Sequence, residues 1–294
     1  MSTSFPLVYA VVPVHNRREL TLRFLKWFTR QTYPHMVILV VDDGSTDGTA
    51  DAIRAAYPTV RILEGDGDLW WAGATNLGVA TALRENADYI LTINDDSQGE
   101  EDYLRTLVDR TITDPMRIGG SRQMNADQRN LVYTLGVAVG GTMRFCFHLN
   151  REKENWEEIA RDVPAIMPVD SLCGNGTLIP RTAFEKAGLF DARWMPQYHA
   201  DTDFVLRAKK SGYHACIVND AVLWNHIQTP PTFSAWGVLA DRRSTYFVPS
   251  TWMSLWRYGN RWLAPFALVR ICLAGIMPPA WKEKLRSLLK RKRD

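Results

Sequence analysis

The sequence predicts an α/β fold, with a mostly parallel central sheet flanked by helices and a helical extension at the C-terminal end. Three observations carry this. Strand-like apolar runs and helix-like segments alternate through the first third, the turn residues sit where such strands end, and the composition shifts abruptly after Thr229-Pro230-Pro231. With 46% hydrophobic and 23% charged residues over 294 positions, the chain has the balance of a folded protein able to bury a large core.

In order, Leu7 to Val14 reads as a strand, Glu19 to Gln31 as a helix, Val37 to Val41 as a strand and Ala50 to Tyr57 as a helix. Val60 to Leu63 follows as a strand, Ala74 to Glu85 as a helix, and Tyr89 to Ile93 as a strand ending in acidic residues. From Gly119 to Ile166 the pattern is irregular, with short strands expected near Leu131 to Leu135 and Met143 to Phe147, then a charged stretch Arg151 to Asp162. Regularity returns with the apolar run Ala165 to Leu172, the turn Cys173-Gly174-Asn175-Gly176, helices near Thr182 to Ala187 and Thr202 to Ser211, and the apolar run Ala221 to Trp224. Residues 1–228 are expected to form one domain, divided into halves 1–118 and 119–228, with 229–294 as a basic, aromatic extension.

Charge and cysteine usage exclude several functions. Lys282 to Asp294 carries seven Lys or Arg against two acids, a local +5 that leaves −2 on the rest of a chain of net +3, and the body has no basic stripe, so nucleic acid is not an expected partner. Four cysteines (Cys146, Cys173, Cys216, Cys272) lack metal-like or redox spacing, and no apolar run is long enough to span a bilayer, which together point to a cytoplasmic chain. Six of eleven tryptophans fall in the last quarter, interleaved with Arg242, Arg243, Arg257, Arg261 and Lys290 to Arg293. That pattern suits a helix at an anionic membrane surface, or a packing face for the domain or a second subunit in a homo-oligomer.

In open sheets of this kind ligands bind beyond the carboxyl ends of the strands. The candidates are therefore His15-Asn16, Asp42-Asp43-Gly44-Ser45, Gly65 to Trp71, and Asn94-Asp95-Asp96. Each alone also reads as ordinary turn or cap chemistry; four polar strand ends in a row do not. A dinucleotide-dependent oxidoreductase shares the alternation but needs a Gly-X-Gly-X-X-Gly turn where Pro13-Val14-His15-Asn16 stands.

These segments resemble family 2 glycosyltransferases, whose members share the GT-A fold with its Rossmann-like nucleotide-binding half. The resemblance rests on Val11 to Arg17, on Val40-Val41-Asp42-Asp43-Gly44-Ser45-Thr46-Asp47, on Asn94-Asp95-Asp96-Ser97, on Gly174 to Arg181 with Gly188 to Asp191, and on Asp201-Thr202-Asp203-Phe204, in the family's order. Gly67 to Gly78 is similar to the version in bacterial rhamnosyltransferase-like members that build surface polysaccharides.

The resemblance implies an inverting transfer of a sugar from a nucleotide-sugar donor, dTDP-rhamnose first and a UDP-hexose second, to a glycan or lipid-linked acceptor, assisted by Mg²⁺ or Mn²⁺. Donor contacts are expected from Pro13, His15, Asn16, Arg17, Asp42, Asp43, Gly67, Asp68, Trp70, Trp71, Asn76, Asn94 and Asp95. The family's Asp-X-Asp motif stands here as Asn94-Asp95-Asp96, so Asp96 is the expected metal ligand, with His226 completing the site. Asp201 matches the general base, at a helix start that suits a carboxylate anion; Ala200 departs from the usual Glu-Asp pair. Acceptor contacts are expected from Asn175, Gly176, Trp194, Tyr198 and Asp203, with Arg181 a further polar contact. The rival reading, a nucleotide-sugar-binding protein that has lost catalysis, rests on Ala200 and Asn94.

Overall fold

Eight of the strands form one continuous path with helices on both sides. The computed structural model describes residues 5–140, 146–148, 155–226, 234 and 236–277. The elements are β1 (Val8–Val14), α1 (Arg18–Phe28), β2 (Met36–Asp42), α2 (Thr49–Ala56), β3 (Arg61–Glu64), α3 (Trp70–Arg84), β4 (Tyr89–Thr92), β5 (Ser97–Gln98), α4 (Tyr103–Thr111), β6 (Arg117–Asn125), β7 (Val132–Thr134), β8 (Val137–Val139) and β9 (Cys146–His148). Then come α5 (Trp156–Ile159), a 3-10 turn (Ala160–Asp162), β10 (Ile166–Val169), β11 (Thr177–Pro180), α6 (Arg181–Ala187), α7 (Ala200–Lys210), β12 (His214–Asn225), α8 (Gly237–Ala240), α9 (Val248–Tyr258) and α10 (Ala264–Ile276).

The sheet runs β10-β12-β6-β11-β4-β1-β2-β3, with β5 on β12 and β7 on β6. The pairs β1–β2, β1–β4, β2–β3 and β6–β12 are parallel; β11 runs antiparallel between β4 and β6, and β10 antiparallel on β12. The alternating pattern of the first third is thus a parallel sheet. Side chains alternate across β1, so that Val8, Ala10, Val12 and Val14 bury against Phe24, Leu25 and Phe28 of α1. Val11 points to the other face, where α3 approaches so closely that a Cβ on Gly78 would lie 2.4 Å from Val11 Cγ1 and 3.2 Å from Val41 Cγ2. Gly78→Ala is expected to destabilise by a net of about 1–2 kcal/mol, read as a lower urea midpoint, because overpacking at about 1–3 kcal/mol outweighs the ~1 kcal/mol gained in helix propensity.

The sequence reading missed β6 and β11. β6 (Arg-Ile-Gly-Gly-Ser-Arg-Gln-Met-Asn) lacks the apolar run of a buried strand because its faces are crowded: a Cβ on Gly119 would strike Thr111, and one on Gly120 would strike Leu172. Of its other buried positions Ile118 and Met124 are apolar, while Ser121 and Gln123 are polar for reasons that belong to the site. β12 is also longer than the apolar run Ala221 to Trp224, extending back to His214 through a bulge between Val218 and Val222. Helix α7 starts at Ala200, so Asp201 lies in its first turn rather than before it.

The chain groups into two units, one of residues 1–139, 146–196 and 200–228, the other of 140–145, 197–199 and 229–294. Within the second, α10 packs on α9 and α8, its Gly275 lying against the Tyr246 ring and Val238. Among the described residues no helix is long and apolar enough to cross a membrane. The basic stretch Lys282 to Asp294, with Trp281, lies outside the described residues, as do Thr229-Pro230-Pro231.

Candidate active site

At the carboxyl ends of β1, β2 and β3 the loops are tied together by short polar contacts. Asn16, in a left-handed conformation (φ 51°), receives the Thr46 N–H on Oδ1 at 2.7 Å and donates its own N–H to Ser45 Oγ at 2.8 Å. His15 Nδ1 lies 2.5 Å from the Asp43 carbonyl oxygen, and Pro13 forms the half-buried last turn of β1 into this loop. Asp42 accepts the Ser45 N–H on Oδ1 at 2.9 Å. Asp43, 5% exposed, spends one carboxylate oxygen on Gly67 N–H (2.9 Å) and the other on Trp70 N–H (3.0 Å). It therefore shapes the Gly65 to Trp70 loop from inside. Gly67 (φ 92°) and Trp70 (φ 58°) hold that loop's bends, and the exposed Asp68 accepts the Trp70 indole N–H at 2.7 Å.

The acidic turn after β4 divides its labour. Asp95 is buried: Thr21 Oγ1 donates to its Oδ2 at 2.9 Å and Arg17 Nε stands 3.2 Å from Oδ1. Burial pushes its carboxyl up to about 6, against the lowering effect of Arg17. It ties Arg17 and α1 to the acidic turn. Asp96 is the more open carboxylate, with Arg17 Nη2 donating to its Oδ2 at 3.0 Å. β5 follows at once and pairs antiparallel with β12, Asn225 opposite Ser97 and Trp224 opposite Gln98. One step further along this register His226 stands across from Asp96, and the two line one crevice with Asp95, Ser97, Arg23 and Phe24. His226 Nδ1 lies 3.2 Å from Asp127 Oδ1.

A buried amide network backs this turn. Asn175 Oδ1 accepts the Asn94 N–H at 2.9 Å and lies 3.0 Å from Ser97 Oγ, while its Nδ2 donates to Asn225 Oδ1 at 3.0 Å. Asn225 Nδ2 donates to Gln123 Oε1 at 3.1 Å, and Gln123 Nε2 returns to the Asn175 carbonyl at 2.8 Å. The Asn175 side chain is spent within this network, and a Cβ on Gly176 (φ 69°) would strike Leu223 at 2.4 Å. Asn175→Leu, which takes a partner from three buried polar groups, Asn94 N–H, Ser97 Oγ and Asn225 Oδ1, is expected to cost about 2–4 kcal/mol in urea unfolding.

The network reaches the α7 carboxylate through Trp71. Its indole N–H donates to Asn94 Oδ1 at 3.0 Å, its ring packs edge-on to Phe190, and it presses on the backbone of Gly174, where a Cβ would lie 2.3 Å from the ring. Gly174 N–H in turn donates to Asp201 Oδ2 at 2.8 Å, and Thr202 N–H to Asp201 Oδ1 at 2.7 Å. Asp201 is thus half-buried with each oxygen aligned by a backbone donor. The structure brings Arg17, Trp71, Asn94, Asp95, Asp96 and His226 together in one connected set with Asp201.

Other expected contacts are turned elsewhere. Asn76 holds both the N–H and the C=O of Phe190, each at 2.9 Å. Asp203, 1% exposed, binds Arg207 Nε at 2.8 Å, and Arg207 clamps the Ala187 and Leu189 carbonyls. Arg181 pairs with Glu185 on its own helix. Trp194 and Tyr198 are each 37% exposed, Tyr198 in the second unit. Thr21, Ser97, Gln123 and Asn225, which hold the site, escaped the sequence reading; the available signal was a polar residue at an inward position, of helix α1 for Thr21 and of a strand for the other three.

A family model described as glycosyl transferase family 2 matches residues 9–171. An N-acetylglucosaminyl-diphospho-decaprenol L-rhamnosyltransferase of Mycobacterium tuberculosis is 28% identical over 258 residues, 82% of this chain and 83% of the relative. Among solved structures, GalNAc-T7 with UDP, GalNAc and Mn²⁺ superposes with a TM-score of 0.64 at 12% identity, covering 92% of this chain and 48% of that one. The mannosyltransferase PcManGT from Pyrobaculum calidifontis, with GDP-Man and Mn²⁺, gives 0.58 at 20% identity, covering 93% and 74%. These neighbours share the GT-A fold expected from the sequence. With more than half its length matched by the family model and every strand-end segment in the family's order, the chain belongs to glycosyl transferase family 2.

Proposed function

We propose that the chain is an inverting glycosyltransferase that moves L-rhamnose from dTDP-rhamnose to a hydroxyl of a bacterial surface glycan or lipid-linked acceptor. The observation that carries the reading is the connection of two chemistries through one packed set of residues: Asp96 and His226 at the β5–β12 edge, and Asp201 reached through Asn94, Trp71 and Gly174. The rhamnose assignment rests on likeness to the mycobacterial rhamnosyltransferase over most of both chains.

Asp201 takes the proton from the acceptor hydroxyl as that oxygen attacks the anomeric carbon, and the bond from that carbon to the diphosphate breaks. One displacement, with one base and no enzyme nucleophile, inverts the anomeric centre. Arg17, already facing Asp95 and Asp96, adds positive charge on the diphosphate side.

The Asp96 carboxylate and the His226 imidazole form a donor set that fits Mn²⁺ or Mg²⁺, since a cation, the Arg17 guanidinium, already pairs with Asp96 there. Among the described residues no cluster of three or more His, Cys, Asp or Glu comes together, so diphosphate oxygens and water would fill the other positions. Bound there, the ion would offset the charge of the departing diphosphate.

Binding and turnover of dTDP-rhamnose against a series of UDP-hexoses, with Mn²⁺, with Mg²⁺ and with a chelator, tests the reading. The expected result is selective binding of dTDP-rhamnose and turnover that chelation abolishes. Preference for a UDP-hexose would overturn the donor, and failure to bind any nucleotide sugar would overturn the function.

A further inference from the structure

Helix α10 presents an exposed apolar stripe among the described residues. Phe266, Val269, Leu273 and Ile276 recur at three- and four-residue intervals on one side of the helix and are 67%, 59%, 54% and 39% exposed, with Trp262, 89% exposed, just ahead of it. The other side holds the buried Ala264 and Ala267, and packs on α8 and α9. An apolar face this continuous on the outside of a soluble unit calls for a partner.

The charge around it selects which. From Arg242 to Lys282 the sequence contains five arginines and one lysine and no Asp or Glu at all, and Lys282 to Asp294 adds further base. Arg261 and Arg270, both exposed, sit at the start and in the middle of the stripe, Arg261 with its guanidinium over the Trp256 ring at 5.3 Å. A two-fold contact with a second copy would set this basic surface against itself, with Asp241 already paired to its own Arg243 at 2.7 Å and no carboxylate from Arg242 to Lys282 to answer it. An anionic bilayer answers both features, taking the apolar residues below its headgroups and the arginines and Trp262 at their level. At 13 residues, about 20 Å long, α10 is too short to span and suits lying in the plane of the surface.

We infer that α10 is an interfacial helix that docks this unit on an anionic membrane surface through Trp262, Phe266, Val269, Leu273 and Ile276. The test is flotation of the full chain with phosphatidylcholine vesicles and with vesicles of equal parts phosphatidylcholine and phosphatidylglycerol, without any sugar donor, so that its outcome is separate from the proposed transfer. Expected are co-flotation with the anionic vesicles, binding at least about tenfold weaker to neutral ones, and loss on raising the salt. The double variant Phe266→Asp, Leu273→Asp should lose binding by a similar factor while keeping the wild-type circular dichroism, and Arg261→Glu with Arg270→Glu should weaken anionic binding with the stripe intact. Equal binding to both vesicle types, or unchanged binding by either variant, overturns the inference. So does the absence of vesicle binding together with a concentration-dependent dimer that Phe266→Asp, Leu273→Asp dissolves, which would assign the stripe to a second copy.

Discussion

Asp201→Asn is expected to slow sugar transfer by about 10²- to 10⁴-fold, the range removed with a general base, while donor affinity stays at the wild-type value. The substitution keeps the shape of the side chain and one hydrogen-bond acceptor, so either Gly174 N–H or Thr202 N–H remains served and the loop against Trp71 holds its place. What is lost is the capacity to take the acceptor's proton. Donor titration by calorimetry beside steady-state rates separates the two: unchanged affinity with the rate collapsed places the base at Asp201. A wild-type rate would remove Asp201 from the chemistry and leave it as a first-turn residue of α7.

The second large effect is expected at Asp96. Asp96→Ala should lower turnover by about 10³-fold or more, because a divalent cation at a leaving diphosphate supplies several kcal/mol and each 1.36 kcal/mol is tenfold. The fold should survive, since Arg17 keeps Asp95 at 3.2 Å and the Asn94–Asn175 bond is independent of the Asp96 side chain. Initial rates across Mn²⁺ and Mg²⁺ concentrations read the cation's site directly. His226→Ala should raise the metal concentration needed for half-maximal rate, and Asp96→Ala should abolish the response; a metal response untouched by both would place the cation elsewhere.

β1, β2 and β4 were legible because each is a nearly unbroken apolar run, which is what a strand covered on both faces requires, while the edge strand β3, with Arg61 and Glu64 exposed, was legible only from its short run Val60 to Leu63. β6 was not, because close packing on two faces forced glycine at 119 and 120, and glycine erases the apolar signal that marks a strand. In the site, the residue types were legible and their directions were not. Asp43, Asp95, Asn76, Asn175 and Asp203 are polar at the right positions, but whether such a side chain meets a ligand or a neighbouring loop depends on partners far away in the chain. Ser97 and Asn225 make the point, being 128 positions apart and meeting only through the β5–β12 pairing. No local pattern announces such a partnership.

The insertion of β11 between β4 and β6 also sets the order in which the protein can be built. β4 has β1 on one side, made from residues already synthesised, but the strand that closes its other side, Thr177–Pro180, comes some 85 positions later. Until that segment leaves the ribosome the nascent sheet carries an open, apolar edge of the kind that pairs with other chains. The amino-terminal part of the sheet is therefore not a module that can be cut free, and the same late strand that completes the sheet is what protects the growing chain from aggregation.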